Sequence, residues 1–421
     1  MNSAKAINKL IIVAALGYFV DIYDILLFGV ERTASLNEIL PEQFPGILAD
    51  KLKELNAYYG KMLLNWQMGG MLVGGLFWGI LGDKKGRLTV LFGSILTYSI
   101  ANIANGFVHN TTWYAALRFI SGFGLAGELG AGITLVSETM SKEKRGIGTM
   151  IVATVGVFGA VVAGFMGDVI ANWRNSYFLG GGMGLALLIL RIGVFESGMY
   201  ESVKTEKVKL GNFFDLFSSG ERLKKYLCII FVTVPVWYVM GTLVLFSPEL
   251  FGKLSGNPEN AKLITAGRSI MFAYTGITVG DLLCGLISQL WKSRKKTLGL
   301  FLILTLVSMV AYFTMGGSSV NAFYAIILFV GFATGYWAVF ISTASELFGT
   351  NIRSTATTTA PNFVRGSTIL ISYLLTGMTM IFGKDGLGAT IATGAIIMAI
   401  AFVALYYLEE TFGKELNYTE K

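Results

Sequence analysis

Apolar runs and short charged gaps alternate along the whole chain. Twelve runs are long enough for a helix to cross the hydrocarbon core of a bilayer, which takes about 20 residues. They cover residues 7–30, 58–81, 88–108, 112–139, 147–171, 174–194, 226–250, 263–291, 297–316, 320–348, 354–382 and 388–408. The pattern predicts an all-α membrane protein with twelve transmembrane helices. Two non-spanning segments stand out, 31–57 and 195–225. The second is rich in lysine and divides the chain in half. It predicts six-helix bundles over 1–194 and 226–421 with a cytoplasmic linker, 195–225, between them. Within that linker "NFFDLF" (212–217) reads as an interfacial amphipathic turn.

Composition sharpens this picture. Hydrophobic residues make up 54% of the 421 positions and charged residues only 14%, against about 25% charged in soluble domains. The 52 glycines suit helices that associate by close packing rather than by the hydrophobic effect. Cys228 and Cys284 lie in apolar runs and suggest neither a disulfide framework nor a metal site, and a lone His109 leaves little scope for histidine-based catalysis. The start, "MNSAKAINKLIIV", carries no signal-peptide cleavage pattern. With the N-terminus inside, 21 of the 33 Lys and Arg fall in inside segments, nine fall outside, and Arg118, Arg191 and Arg365 lie within spans. The bias predicts that both termini face the cytoplasm. The net charge of +7 then reflects basic loops facing anionic lipid and calls for no nucleic-acid partner.

The halves repeat. "SETMSKEKRG" (137–146) ends the fourth span and "SELFGTNIRS" (345–354) ends the tenth. Glu138 and Glu346, Arg145 and Arg353, and Gly127 and Gly335 are each offset by 208 residues. "VFESGMYE" (194–201) and "LEETFGKE" (408–415) close the two halves alike. Two parallel repeats imply a substrate site between them near the membrane midplane.

Between the second and third spans stands "GILGDKKGRLTVL" (79–91). This loop resembles the signature of the major facilitator superfamily, and the twelve-span, two-half layout agrees across the chain. The resemblance implies the major facilitator fold. It also implies a conformational latch in which Asp83 helps to hold the cytoplasmic ends of the halves together, with Gly79, Gly86, Arg87, Glu138, Arg145, Glu346 and Arg353 around it. The bland alternative is a turn with topogenic charges. The equivalent stretch of the second half, "CGLISQLWKSRKK" (284–296), keeps the basic run but has no matching acid. Arg118, Glu138, Arg145 and Gly146, the two end-of-half motifs and "DIYD" (21–24) are similar to motifs of proton-linked sugar, phosphate and organic-acid porters. The seventh span, "CIIFVTVPVWYVMGTLVLF", has no Gln or Asn to bind a sugar. Arg365 in "APNFVRGS" resembles the arginine that organic-acid porters often carry in span eleven. The balance leans towards a small organic anion or zwitterion.

Charges inside the membrane are costly, about 2.5–3.5 kcal/mol each on insertion scales, and usually face an interior cavity or a partner. Asp21 and Asp24 are three apart, share a helical face and are both candidate proton-coupling carboxylates, Asp24 the stronger. Asp24 and Arg118 match the acid–arginine pair that couples protons in the related symporters; the alternative is a structural ion pair between spans one and four. Glu128 is either a second proton site, a substrate ligand or a structural partner for Arg118. Arg365, four residues after Pro361, is either an anchor for an anionic group or a partner for Asp281. Trp237, Tyr238, Tyr274, Tyr336, Trp337 and Asn362 are candidate substrate-binding residues, with packing as the alternative for each.

The resemblance implies a monomeric, multi-pass protein of the cytoplasmic membrane, importing a small metabolite by proton symport and alternating access. The proton serves as coupling ion, with no organic cofactor and no metal. Drug-type proton antiport is a transport rival and a non-transporting nutrient sensor is a rival of another class. An enzyme is disfavoured by the single histidine, the two cysteines and the lack of a metal constellation.

Overall fold

A computed structural model describes residues 3–140, 145–191, 213–383, 387–415 and 418–419. Lys142–Lys144, the 194–201 motif and the lysines at 204–209 lie outside the described residues, as does the side chain of Arg145. The described chain is helical, without strands. Six spans precede residue 192: Ser3–Gln43, Ala49–Lys85, Arg87–Asn105, a fourth in two pieces (Thr111–Leu125 and Glu128–Thr139), Arg145–Val169 and Trp173–Leu190. Six more follow: Gly220–Tyr238 continued by a π-helical turn Val239–Val244, Ala266–Leu290, Arg294–Met315, a tenth in two pieces (Val320–Ala333 and Trp337–Leu347), Arg353–Phe382 and Leu387–Tyr407. Phe213–Phe217, the expected interfacial turn, is a short 3₁₀ helix. Ten of these spans are long and apolar enough to cross a membrane by themselves. The second carries Asn65, Gln67 and Asp83, and the sixth opens on Arg174, Asn175 and Ser176, which lowers the apolarity of both.

The first helix differs from the expected span 7–30. It runs on to Gln43, past Glu31, Arg32 and Glu38. Leu36, Ile39 and Leu40, at helical spacing, are fully buried, so the extension has an apolar face of its own. Its charged side chains are hydrogen-bonded. Glu31 accepts from Ser176 Oγ (2.7 Å), and Glu38 accepts from Trp173 Nε1 (2.7 Å) and Arg174 Nη2 (2.9 Å).

Spans four and ten break at the repeat-related glycines, Gly127 and Gly335. A Cβ on Gly335 would lie 2.6 Å from Gly280 Cα, so span eight passes against bare backbone. Backbone groups near the breaks find partners. Phe123 O accepts from Trp78 Nε1 (2.7 Å), Ala126 O accepts from Asn362 Nδ2 (2.8 Å), and Ala338 N–H donates to Asp281 Oδ1 (3.1 Å). Without such partners, irregular backbone at membrane depth would be expensive.

The halves meet along two helix pairs, spans two and eleven and spans five and eight. Charged side chains are turned inward: Arg32, Arg87, Arg118, Arg191, Arg353 and Arg365 are all buried. Large apolar side chains such as Ile189, Leu370, Tyr373 and Met380 are turned out, as expected where lipid is the solvent.

Glycine decides the contact between spans eight and ten. A Cβ on Gly331 would lie 1.9 Å from Ala273 O. Gly331→Ala is expected to cost about 1–3 kcal/mol through overpacking, read as a lower midpoint in thermal unfolding of the detergent-solubilised protein. Gly377, with nothing within 4 Å of its would-be Cβ, is the control: Gly377→Ala is expected to leave the midpoint unchanged or slightly raised.

Candidate functional site: charges and aromatics between two closed ends

Span eleven begins at Arg353, and its N-cap residue, Ile352, has no side chain to cap it. The acid comes from the other half. Asp83, at the end of span two, accepts from Ser354 N (3.2 Å), Thr355 N (2.8 Å) and Thr355 Oγ1 (2.7 Å). A carboxylate at a helix N-terminus satisfies orphan N–H groups and opposes the helix dipole. Glu138 adds a second link across the halves. It binds Arg87 Nη2 of its own half at 3.0 Å and Arg353 Nη1 of the other at 3.4 Å. Arg87 also donates to Gly82 O and lies 3.5 Å from Asp83. Hydroxyls continue the seam, with Thr134 Oγ1 2.8 Å from Thr357 Oγ1 and Thr149 Oγ1 3.2 Å from Ser342 Oγ. Gly79 brings the backbone of Thr355 close, and Gly86 takes a φ of 96° between spans two and three. Glu346, the repeat mate of Glu138, is held by Arg294 (3.0 Å) and Thr411 Oγ1 (2.8 Å), so it pairs within its own half.

The opposite end is also shut. Arg32 Nη2 bonds Glu249 Oε1 at 2.8 Å across the halves, and its guanidinium lies 4.5 Å from the centre of the Phe246 ring. Arg268 Nε and Asp168 Oδ2 are 3.1 Å apart. Sequence reading counted both arginines among the outside charges and missed both pairs, because their partners are distant in the chain.

Between these ends lie the intramembrane charges. Asp24 is fully buried and packs against Gly180, whose added Cβ would sit 2.1 Å from Oδ1. Arg118 of span four supplies the neighbouring positive charge. Among the described residues, neither Asp24 nor Arg118 makes a hydrogen bond through its charged atoms. Arg118 instead lies 5.6 Å from the centres of the Phe28 and Tyr177 rings. Glu128 is not the partner of Arg118: it forms a buried ion pair with Arg191 of span six, which also donates to Leu91 O at 2.6 Å. This pair passes over Gly17, where any Cβ would collide with both side chains. Two opposite charges left over in one half were the signal in the sequence that could have found it.

A small cavity lies between the halves, lined by Tyr18, Ile22, Trp237, Tyr274, Trp337 and Arg365 among others. Its free space is about 20 Å³, room for one or two waters, so a metabolite enters only when helices part. Arg365 is buried, lies 5.5 Å from the Trp337 ring centre, and donates only a long bond to Asn362 Oδ1 (3.4 Å). Its Nε and Nη2 have no partner among the described residues. Asp281, the alternative partner, caps the second piece of span ten instead. Four of the sequence candidates, Arg365, Trp237, Tyr274 and Trp337, therefore meet at one cavity. Tyr238, Tyr336 and Asn362 are not among its lining residues. Tyr238 donates to Thr390 O (2.6 Å), Tyr336 donates to Val232 O (3.1 Å), and Asn362 clamps Ala126 O. Tyr18 was missed: it reads as one more aromatic of an apolar run.

Comparison with known proteins agrees with this architecture. The family model described as Major Facilitator Superfamily matches residues 60–360. The niacin transporter NiaP of Acinetobacter baylyi is 27% identical over 385 residues, covering 83% of this chain and 84% of that protein. The 3-(3-hydroxy-phenyl)propionate transporter of Escherichia coli is 27% identical over 393 residues, covering 91% and 93%. Among solved structures, the proton:xylose symporter XylE bound to 6-bromo-6-deoxy-D-glucose superposes with a TM-score of 0.73 at 16% identity, covering 99% of this chain and 98% of that one.

The bonds to Asp83 exist only while the halves are together at that end. Asp83→Asn removes the charge from the cap of span eleven, a loss of about 1–2 kcal/mol. The expected outcome is roughly a tenfold shift towards states open at that end. Spin-label distances between the loop joining spans two and three and the loop joining spans ten and eleven should lengthen; an unchanged distribution would reduce Asp83 to a topogenic charge.

Proposed function

The chain belongs to the major facilitator superfamily of membrane transporters, and we propose that it imports a small aromatic carboxylate together with protons by alternating access. The observation that carries this reading is Arg365: a buried guanidinium with unfilled donors, at a cavity walled by Tyr18, Trp237, Tyr274 and Trp337. Its fork suits a carboxylate and the rings suit a flat apolar body. None of the cavity-lining residues is Asn or Gln, which argues against a sugar. Niacin and 3-(3-hydroxy-phenyl)propionate, the substrates named for two relatives, both join a carboxyl group to an aromatic ring system.

In this reading the end bearing Asp83 faces the cytoplasm, with both chain termini, in the inner membrane. The monomer works as two bundles, 1–194 and 226–421, rocking about the site. Opening inward breaks the Asp83 cap and the Glu138–Arg353 contact; opening outward breaks Arg32–Glu249. Asp24 carries a proton. Its ionised form relies on the charge of nearby Arg118, from which no hydrogen bond holds it. Movement of span four away from span one withdraws that charge in a water-poor interior, and protonation compensates.

Uptake of nicotinate into proteoliposomes tests the proposal. An inside-alkaline gradient should drive accumulation and the reversed gradient should drive loss; accumulation only under the reversed gradient would instead support proton antiport. Arg365→Ala is expected to lower affinity by about 100-fold or more, while Arg365→Lys keeps part of it without the bidentate geometry. Asp24→Asn is expected to abolish accumulation while retaining exchange between equal pools. Wild-type accumulation by Asp24→Asn would return the Asp24–Arg118 neighbourhood to a structural role.

A further inference from the structure

The outer end of the path holds a second buried arginine with donors to spare. The Arg32 side chain is 2% exposed and its Nη2 bonds Glu249 Oε1 at 2.8 Å. Its Nε and Nη1 have no hydrogen-bond partner among the described residues, and neither has Oε2 of Glu249. Span two makes room for the arginine: a Cβ on Gly60 would lie 2.9 Å from its Cδ. The guanidinium lies over the Phe246 ring, 4.5 Å from its centre, and Lys61 Nζ of span two lies 5.9 Å from the same centre. Two cations thus flank one aromatic ring, and one of them is held by a carboxylate of the other half.

An apolar neck leads from this gate to the Arg365 cavity. Its lining includes Gly29, one turn before Arg32, Leu64, one turn after Lys61, and Leu245, next to Phe246. It ends on Trp237 and Tyr274, which also line the Arg365 cavity. None of its lining residues is charged, and its free space is about 10 Å³, so a ring passes only when helices part. Tyr18 at the cavity and Arg32 at the gate are about four turns apart on the first helix, roughly 20 Å. The path therefore has a buried guanidinium with unfilled donors at each end and no counter-charge for a carboxylate in between.

We propose that Arg32, with Phe246 and Lys61 beside it, is an outer capture site for the carboxylate of an aromatic acid, and that Glu249 occupies it when no substrate is present. The inference rests on the reading of the substrate as an aromatic carboxylate that enters from the Arg32 end, and adds a site to the one at Arg365. Arg32 and Glu249 belong to different halves, so their bond exists only while the outer end is shut. When that end parts, the guanidinium presents its fork to an incoming carboxylate, and the Phe246 ring presents a stacking face to the aromatic body. A substrate bound there takes the place of Glu249, and the end recloses once the anion has moved down the neck to Arg365. Anions are thus selected before the ring enters the membrane interior. A carboxamide of the same shape gives Arg32 no counter-charge and is not held.

Saturation-transfer NMR on the detergent-solubilised full-length protein tests the site, with benzoate and nicotinate as probes and benzamide as the neutral control. Arg365→Ala is the background, because it removes the inner anchor and leaves the outer site alone. In that background both anions are expected to keep weak binding. Adding Arg32→Gln is expected to abolish it, and adding Glu249→Gln to tighten it about tenfold, since the internal competitor is gone. Both added substitutions break the same ion pair, so a role confined to holding the gate shut makes them act alike, and equal effects overturn the proposal. Arg32→Lys keeps the charge and is expected to restore part of the binding lost in Arg32→Gln. Benzamide bound as tightly as benzoate, or no Arg32-dependent binding of either anion, overturns the outer site whatever Arg365 does. Arg32-dependent binding with the same affinity in wild type and Arg365→Ala upholds the outer site and refutes Arg365 as the anchor.

Discussion

The closed arrangement depends on one carboxylate lent by one half to the other. Span eleven starts without a cap of its own, and Asp83 supplies it from 271 residues away. While this interface is closed no water is on hand to take over those N–H groups, so removing the carboxylate leaves them unsatisfied until the halves part. The neighbouring links share that character. Glu138 reaches both Arg87 and Arg353, Thr134 meets Thr357, and Asn362 holds Ala126 O at the break in span four. Each is polar and directional, and the links from Glu138 to Arg353, Thr134 to Thr357 and Asn362 to Ala126 cross between the halves. A seam of this kind has two discrete states, joined or parted, which is what alternating access requires of a gate.

The interior follows the same rule with a different outcome. Where charges serve architecture they are paired, as Glu128 is with Arg191 and Glu346 is with Arg294. Where they are left short of partners they gather along the path between the two ends: Asp21, Asp24, Arg118 and Arg365. Desolvated charge without a bonded partner is unstable, and a protein keeps it only where something else completes the arrangement. In the proposed mechanism a proton completes Asp24 and an anion completes Arg365. The aromatic lining then adds dispersion and stacking without adding a competing hydrogen-bonding group.

Much of this was legible in the sequence, and for identifiable reasons. Span number follows from run length, which the bilayer fixes. The importance of Gly127 and Gly335 was visible as a repeat, because both interrupt the same span of their half. Asp24, Arg118 and Arg365 were visible because charge within an apolar run is conspicuous. What the sequence hid were partners. The one structural partner considered for Glu128 was the nearest arginine in the chain, Arg118, whereas the helix bundle brings it to Arg191. The run of the first helix to Gln43 was hidden because its charges, Glu31, Arg32 and Glu38, masked the buried stripe of Leu36, Ile39 and Leu40. Tyr238 and Tyr336 are indistinguishable by sequence from Tyr274 and Trp337. Only the side that each helix turns to the cavity separates them.

The central claim is that a proton accompanies each anion through the protein. Proton movement during transport reads this most directly. Proteoliposomes are suspended in weakly buffered medium with no imposed gradient and with the membrane potential clamped. Nicotinate is then added outside, and the external pH is followed against liposomes lacking the protein. The account predicts alkalinisation outside at a rate that follows nicotinate entry. Nicotinate entry with no change in pH beyond that of the protein-free liposomes would contradict it.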